Sequence, residues 1–254
     1  MIKNNIKLYQ ESRKVDQEAY VTPYEDFATD FYRDLITDKI KNKNARILDI
    51  GCFKGVLVDK LKDYKSFGLD VTSLGFLKPG RYVVGSAEVL PFKSNSLDCI
   101  VMSEVIEHIF EPLVIYKEIH RMLKDGGYFL ITHPNKYNFL DTLIENIKEN
   151  TLVRKLLKRP IYKGVQHVQA FYYSDTINNL KPLNFTIESC HAITFSLHRI
   201  FSMFLYGRLK CDLGFKIVRA IIKLEYSILK FLGKAGLPFA GSCILLLKVS
   251  KNGA

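Results

Sequence analysis

Ile47-Leu48-Asp49-Ile50-Gly51-Cys52-Phe53-Lys54-Gly55 sets the architecture of this chain. A short apolar strand stops at Gly51, and a glycine-bounded turn then opens a helix. Glycine has no Cβ, so backbone at such a turn can pass close to a ligand. On either side, short strands alternate with amphipathic stretches. Ser66–Asp70, Arg81–Gly85, Leu97–Met102 and Gly127–Thr132 read as strands two to five. Between the last two, residues 111–123 repeat their apolar positions at helical spacing, with Pro112 suited to the first turn and Gly126-Gly127 suited to the stop. This alternation predicts an α/β fold: a doubly wound, mostly parallel sheet with helices on both faces. Ligands of such sheets bind at the carboxyl ends of the strands, near the point where strand order reverses. Asn184–Cys190 and Cys243–Val249 add two further strands.

In a chain of 254 residues, 48% hydrophobic and 25% charged, this reads as one globular domain. Its parts are a helical N-terminal lid (1–44), a core (45–135), a cap (136–183) and a C-terminal part with basic helices (184–254). No apolar run approaches the roughly 20 residues of a bilayer-spanning helix, and Met1–Lys7 carries no apolar signal core. The five cysteines (Cys52, Cys99, Cys190, Cys211, Cys243) form no CxxC pair. That argues against a disulfide framework and for a reducing, cytoplasmic setting.

Five segments occur in order between Ala45 and Asn135. They are Leu-Asp-Ile-Gly-Cys-x-x-Gly (48–55), the strand-two Asp70, Ala-Glu-x-Leu-Pro-Phe (87–92), Ser-Glu-Val-Ile-Glu-His (103–108) and Leu-Lys-Asp-Gly-Gly (123–127). In combination they resemble the class I S-adenosylmethionine-dependent methyltransferases, in particular the methyltransferase-11-like group. The resemblance implies a Rossmann-like seven-stranded sheet with helical cap insertions, and S-adenosylmethionine as cofactor. It implies that Gly51, Cys52 and Gly55 meet the methionine part, Asp70 the ribose, and Ala87-Glu88 the adenine edge, and that Ser103 lines the cofactor. Asp49 would orient the glycine loop or reach the amino group. Phe53 stands where the family usually has a second glycine, and Ser86 where it often has an acid. A Rossmann dehydrogenase would want G-x-G-x-x-G instead, which this turn does not supply.

Methyl transfer is an in-line displacement, so the protein must position an acceptor and take its proton. His133, just after strand five, is expected at the cleft rim, either as general base or as a ring bonded to backbone. His108 is the second catalytic candidate. Glu104, Glu107 and His108 are spaced i, i+3, i+4, which on a helix places them on one face. With the later His167 they resemble two metal-using groups, the ubiquinone-biosynthesis O-methyltransferases and the small-RNA 3′-terminal 2′-O-methyltransferases. An oxygen-rich set suits Mg²⁺ or Mn²⁺, and such a cation would lower the pKa of an acceptor hydroxyl. The alternative is that these side chains make structural hydrogen bonds. His120, His191 and His198 sit in structural contexts, and Tyr20 and Tyr24 either help a lid close or pack.

The net charge of +11 is unevenly placed. Residues 1–150 hold 21 Lys+Arg against 22 Asp+Glu, whereas residues 151–254 hold 16 against 4. The back half therefore suits an anionic partner: phospholipid, a pyrophosphate-bearing carrier or nucleic acid. Residues 215–232 read as a basic amphipathic helix with Lys216, Arg219, Lys223 and Lys230 on one face. It would either lie in a membrane interface or pack its apolar side on the sheet. The C-terminal layout is similar to that of methyltransferases of cell-surface glycan biosynthesis. The expected function is O-methylation of a small, lipophilic or lipid-linked acceptor, such as a quinone precursor or a glycan intermediate. RNA 2′-O-methylation and cofactor binding without turnover stay open, but no appended RNA-binding motif is present.

Overall fold

A computed structural model describes residues 21–71, 81–135, 172–194, 212–233, 236 and 240–251. Seven strands form one sheet: β1 (Arg46–Ile50), β2 (Lys65–Asp70), β3 (Tyr82–Val84), β4 (Leu97–Ser103), β5 (Leu123–Pro134), β6 (Phe185–Thr194) and β7 (Ser242–Val249). Their order is β3-β2-β1-β4-β5-β7-β6. Strands β1 to β5 pair in parallel, and β7 runs antiparallel between β5 and β6. Chain order reverses between β1 and β4, which places the switch point at Gly51 and Ser103. The expected seven-stranded, mostly parallel α/β sheet is therefore present. One boundary differs. Strand β5 begins at Leu123 rather than Gly127, because a bulge absorbs residues between the Leu97–Leu123 and Cys99–Tyr128 pairs.

Among the described residues five α-helices cover the sheet: α1 (Pro23–Lys39), α2 (Val56–Lys60), α3 (Pro112–Met122), α4 (Tyr173–Leu180) and α5 (Asp212–Leu232). Alternation along the strands sorts the core into two layers. Leu48, Ile50, Ile100, Met102, Phe129 and Ile131 face α3 and α4. Ile47, Cys99, Val101 and Leu130 face α1, α2 and α5. Helix α1 starts at a capping box: Thr22 Oγ1 accepts from the Glu25 amide, the Glu25 carboxylate accepts from the Thr22 amide, and Pro23 occupies the first turn. Its Phe27, Ala28, Tyr32 and Ile36 are buried in the core. The described part of the expected lid is thus a layer of the core, and residues 1–20 lie outside the described residues. Likewise α4, expected in the cap, packs Ile177 and Leu180 into the α3 layer; residues 136–171 lie outside the described residues.

Ion pairs tie the α1 layer together. Lys60 Nζ on α2 lies 2.8 Å from Asp26 Oδ1 and 2.9 Å from Asp30 Oδ1 on α1. Arg219 of α5 reaches the same two carboxylates, donating to Asp30 Oδ2 at 2.5 Å and pairing with Asp26. Arg219 therefore points inward, so the expected single cationic face of α5 consists of Lys216, Lys223 and Lys230 without it. Among the described residues no helix is long and apolar enough to cross a membrane.

Candidate functional site

At the switch point the backbone leaves β1 in a left-handed turn. Gly51 has φ +75°, and a Cβ there would lie 2.2 Å from Val105 Cγ2. Only glycine lets the chain approach the segment after β4 so closely. The Gly51 and Cys52 amides donate to Leu69 O at 2.7 and 3.2 Å, and the Phe53 amide donates to Asp70 Oδ2 at 2.9 Å. Phe53 itself sits at φ 43°, a non-glycine residue in the left-handed region. The side chain that replaces the usual second glycine is thus accommodated, and Asp70 holds its amide in place. Gly55, at φ 71°, then caps α2.

Two carboxylates meet beneath this loop. Asp70 is 2% exposed and Asp49 is 7% exposed. Burial, with Asp70 nearby, pushes the Asp49 carboxyl up to about 8. Among the described residues Asp49 makes no hydrogen bond to the glycine loop, so the loop-orienting role expected of it falls to Asp70 and Leu69 O. Cys52 is buried, and burial pushes its thiol well up. The turn after β3 joins the same corner. Gly85 N donates to Asp70 O at 2.9 Å, and Ser86 Oγ accepts from the Glu88 amide at 3.2 Å. Ala87 and Glu88 therefore follow within three residues of a backbone bond to Asp70.

Ser103, at the carboxyl end of β4, enters a network that the sequence did not reveal. Its hydroxyl donates to Tyr32 Oη of α1 at 3.1 Å and lies 3.0 Å from Thr132 Oγ1 of β5. Thr132 in turn donates to Glu104 Oε1 at 3.1 Å. Tyr32 is 1% exposed, and burial raises its hydroxyl above the ordinary range. In the sequence Tyr32 looks like one more apolar position of an amphipathic helix. The sequence points instead to Tyr20 and Tyr24.

Period-two geometry moves His133 off the expected rim, and of its two expected readings the ring bonded to backbone is the one present. Thr132 faces α1 with Leu130, so its neighbour must face the opposite layer. His133 is 1% exposed, away from the rim. Its Nδ1 lies 2.9 Å from Pro134 O, a pure acceptor, so Nδ1 carries the proton; Nε2 lies 2.9 Å from Thr176 Oγ1 of α4. Burial lowers the pKa of this ring and favours the neutral form.

The metal set is corrected as well. Residues 103–108 are not an α-helix. Glu104 sits at φ 53°, and only Ile106–His108 form a single 3₁₀ turn. The i, i+3, i+4 spacing therefore does not gather the three side chains. Glu107 turns into the core at 2% exposure, where burial, with Glu104 nearby, raises its carboxyl well above the usual range. His108 Nε2 lies 4.0 Å from Glu107 Oε1. Among the described residues no three His, Cys, Asp or Glu side chains are placed to hold a metal ion. His167 lies outside the described residues.

Residues 48–131 match the family model of a methyltransferase domain. That match spans about a third of the chain, on a sheet with the α/β fold of the class I methyltransferases. It is similar to an uncharacterized protein of Methanocaldococcus jannaschii, 32% identical over 117 residues (44% of this chain, 51% of the relative). It is also similar to the demethylmenaquinone methyltransferase of Renibacterium salmoninarum, 30% identical over 118 residues (41% and 48%). The chain spans about half the length of these curated relatives. Among solved structures, a geranyl diphosphate methyltransferase in complex with S-adenosylmethionine superimposes with a TM-score of 0.56 at 10% identity (88% and 85% covered), a likeness of fold. The corner formed by Gly51, Asp49 and Asp70 fits such a sulfonium compound. Its Gly51 turn tolerates no side chain, and two buried carboxylates suit a cationic, ribose-bearing ligand.

Proposed function

We propose that the protein transfers a methyl group from S-adenosylmethionine to a hydroxyl of a lipophilic or carrier-linked acceptor. One observation carries the reading: Asp70 anchors the glycine turn at the switch point of a β3-β2-β1-β4-β5-β7-β6 sheet. When bound, the donor supplies an electrophilic carbon whose bond to sulfur breaks as the acceptor oxygen attacks. The chain's task is to hold both partners in line and to accept the hydroxyl proton. Asp70 binds the ribose, Asp49 the amino group, and Gly51, Cys52 and Gly55 border the methionine part. Ala87-Glu88 border the adenine, and Ser103 lines the site.

On the acceptor side the best-placed group is Glu104. Its backbone strain (φ 53°) follows directly on β4, and Thr132 and Ser103 orient it through hydrogen bonds. It receives the acceptor proton or positions the hydroxyl. His108 stands two residues beyond the start of the adjoining 3₁₀ turn as the second candidate. His133, engaged at both ring nitrogens, latches β5 to α4. A quinone-type acceptor is supported by the similarity to the demethylmenaquinone methyltransferase of Renibacterium salmoninarum.

The test is transfer of labelled methyl from S-adenosylmethionine into lipid, RNA and small-molecule fractions. Label in the lipid fraction is expected. Label in RNA alone overturns the acceptor class, and donor binding without label in any fraction overturns turnover. Glu104→Gln should lower kcat by roughly a hundredfold or more, the usual size of a general-base contribution, with donor affinity unchanged.

A further inference from the structure

We propose that the outer face of α5 docks on a membrane surface bearing anionic headgroups. The helix is apolar on two sides. Val218, Ile222 and Leu229 are buried against the sheet. Opposite them, Leu213 (66% exposed), Ile217 (39%), Leu224 (61%), Ile228 (43%) and Phe231 (91%) face outward. At 100° per residue these five fall within an arc of roughly 60°. Lys216, Lys223 and Lys230 recur every seventh residue and are exposed, forming a row along one flank of that stripe.

Charge selects the occupant. Within 213–232 the single acid, Glu225, is 3% exposed and turned inward, and Arg219 is held by Asp26 and Asp30. From Leu213 to Leu232 the outward face thus offers apolar side chains, ammonium groups and the Ser227 hydroxyl, with no exposed acid. A second copy of the chain would bring the same face, with no exposed acid between Leu213 and Leu232 to meet the lysines. A headgroup layer supplies the missing negative charge, and the acyl boundary beneath it takes the leucines and Phe231, while the lysine stems reach back to the headgroups. At about 1.5 Å per residue the 21-residue helix is roughly 31 Å long, so it can lie along the surface. The inward ion pairs and the edge-to-face contact of Phe31 with Tyr226 (5.1 Å) fix which face is presented.

The test is co-sedimentation of the full chain with phosphatidylcholine vesicles, with and without phosphatidylglycerol, at low and high salt. It needs neither donor nor turnover, so its outcome is separate from that of the methyl-transfer assay. Binding is expected only with phosphatidylglycerol, and weaker at high salt. The K216Q/K223Q/K230Q variant should partition roughly a hundredfold less, from three lost lysine attractions. L224S/F231S should also lose binding, and thermal unfolding should show both variants folded. Equal binding to both vesicle types, or undiminished binding of the folded variants, overturns the proposal. So does a dimer that L224S/F231S dissolves without vesicle binding, or retention by RNA with vesicles inert.

Discussion

Two pairs of aspartates in this molecule have opposite fates. Asp26 and Asp30 on α1 are each met by Lys60 and Arg219, which arrive from two other helices. Asp49 and Asp70, at the ends of β1 and β2, are more deeply buried, and Asp49 is pushed up to about 8 by burial and by its neighbour. The first pair is neutralised by the chain and serves as scaffold. In the second, the burden on Asp49 is eased by a proton or by a cationic ligand. The contrast shows how a buried acid marks a binding corner where, as at Asp49, no cation among the described residues meets it.

The largest expected effect lies in the pH dependence of the second pair. Because the folded pKa of Asp49 exceeds its unfolded value, the folded apo protein holds a proton that the unfolded chain releases. Apo stability should therefore fall as pH rises from about 4 to about 8 and level off above. Donor affinity should move oppositely, rising by up to about tenfold per pH unit between 6 and 8, since a cation binds the ionised form. Calorimetry in buffers of different ionisation enthalpy should show proton release, and Asp49→Asn should flatten the slope. A slope unchanged in that variant would detach Asp49 from the ligand.

Asp70→Asn comes next. Loss of a charged hydrogen-bond acceptor costs about 1.5–3 kcal/mol, so donor affinity by calorimetry should drop by roughly ten- to a hundredfold. The neutralised pair should respond in stability instead. Arg219→Ala leaves part-buried Asp26 to Lys60, and Asp30 to Lys60 and Arg33, and should cost about 1–2 kcal/mol, a fall of a few degrees in Tm, with donor affinity intact. If affinity falls in step with stability, the two aspartate pairs are not separate. The smallest effect is expected of Tyr32→Phe, which removes one hydroxyl from the Ser103–Thr132 network at about 1 kcal/mol. Thermal unfolding measures it.

Legibility in the sequence followed the range of the interaction. The glycine turn, the strand ending in Asp70 and the α3 helix could all be read, because each is written in a few adjacent residues. Tyr32 could not, since its partner Ser103 lies 71 residues away on another element. Glu104, Glu107 and His108 misled because helical spacing has meaning only on a helix, and a positive φ at Glu104 breaks the backbone there. His133 misled by one residue: in a strand, a single step moves a side chain from the site layer to the opposite one.

Local pattern alone determined the α/β alternation, the switch-point turn and the basic character of the back half. Periodicity, glycine and charge are properties of neighbours along the chain, and they survive without the fold. Tertiary structure alone decided which acids are compensated, that Arg219 faces inward while three lysines face out, and that α1 contributes a tyrosine to the site. Those outcomes depend on which elements the sheet order brings side by side, and desolvation and pairing act only once that proximity exists.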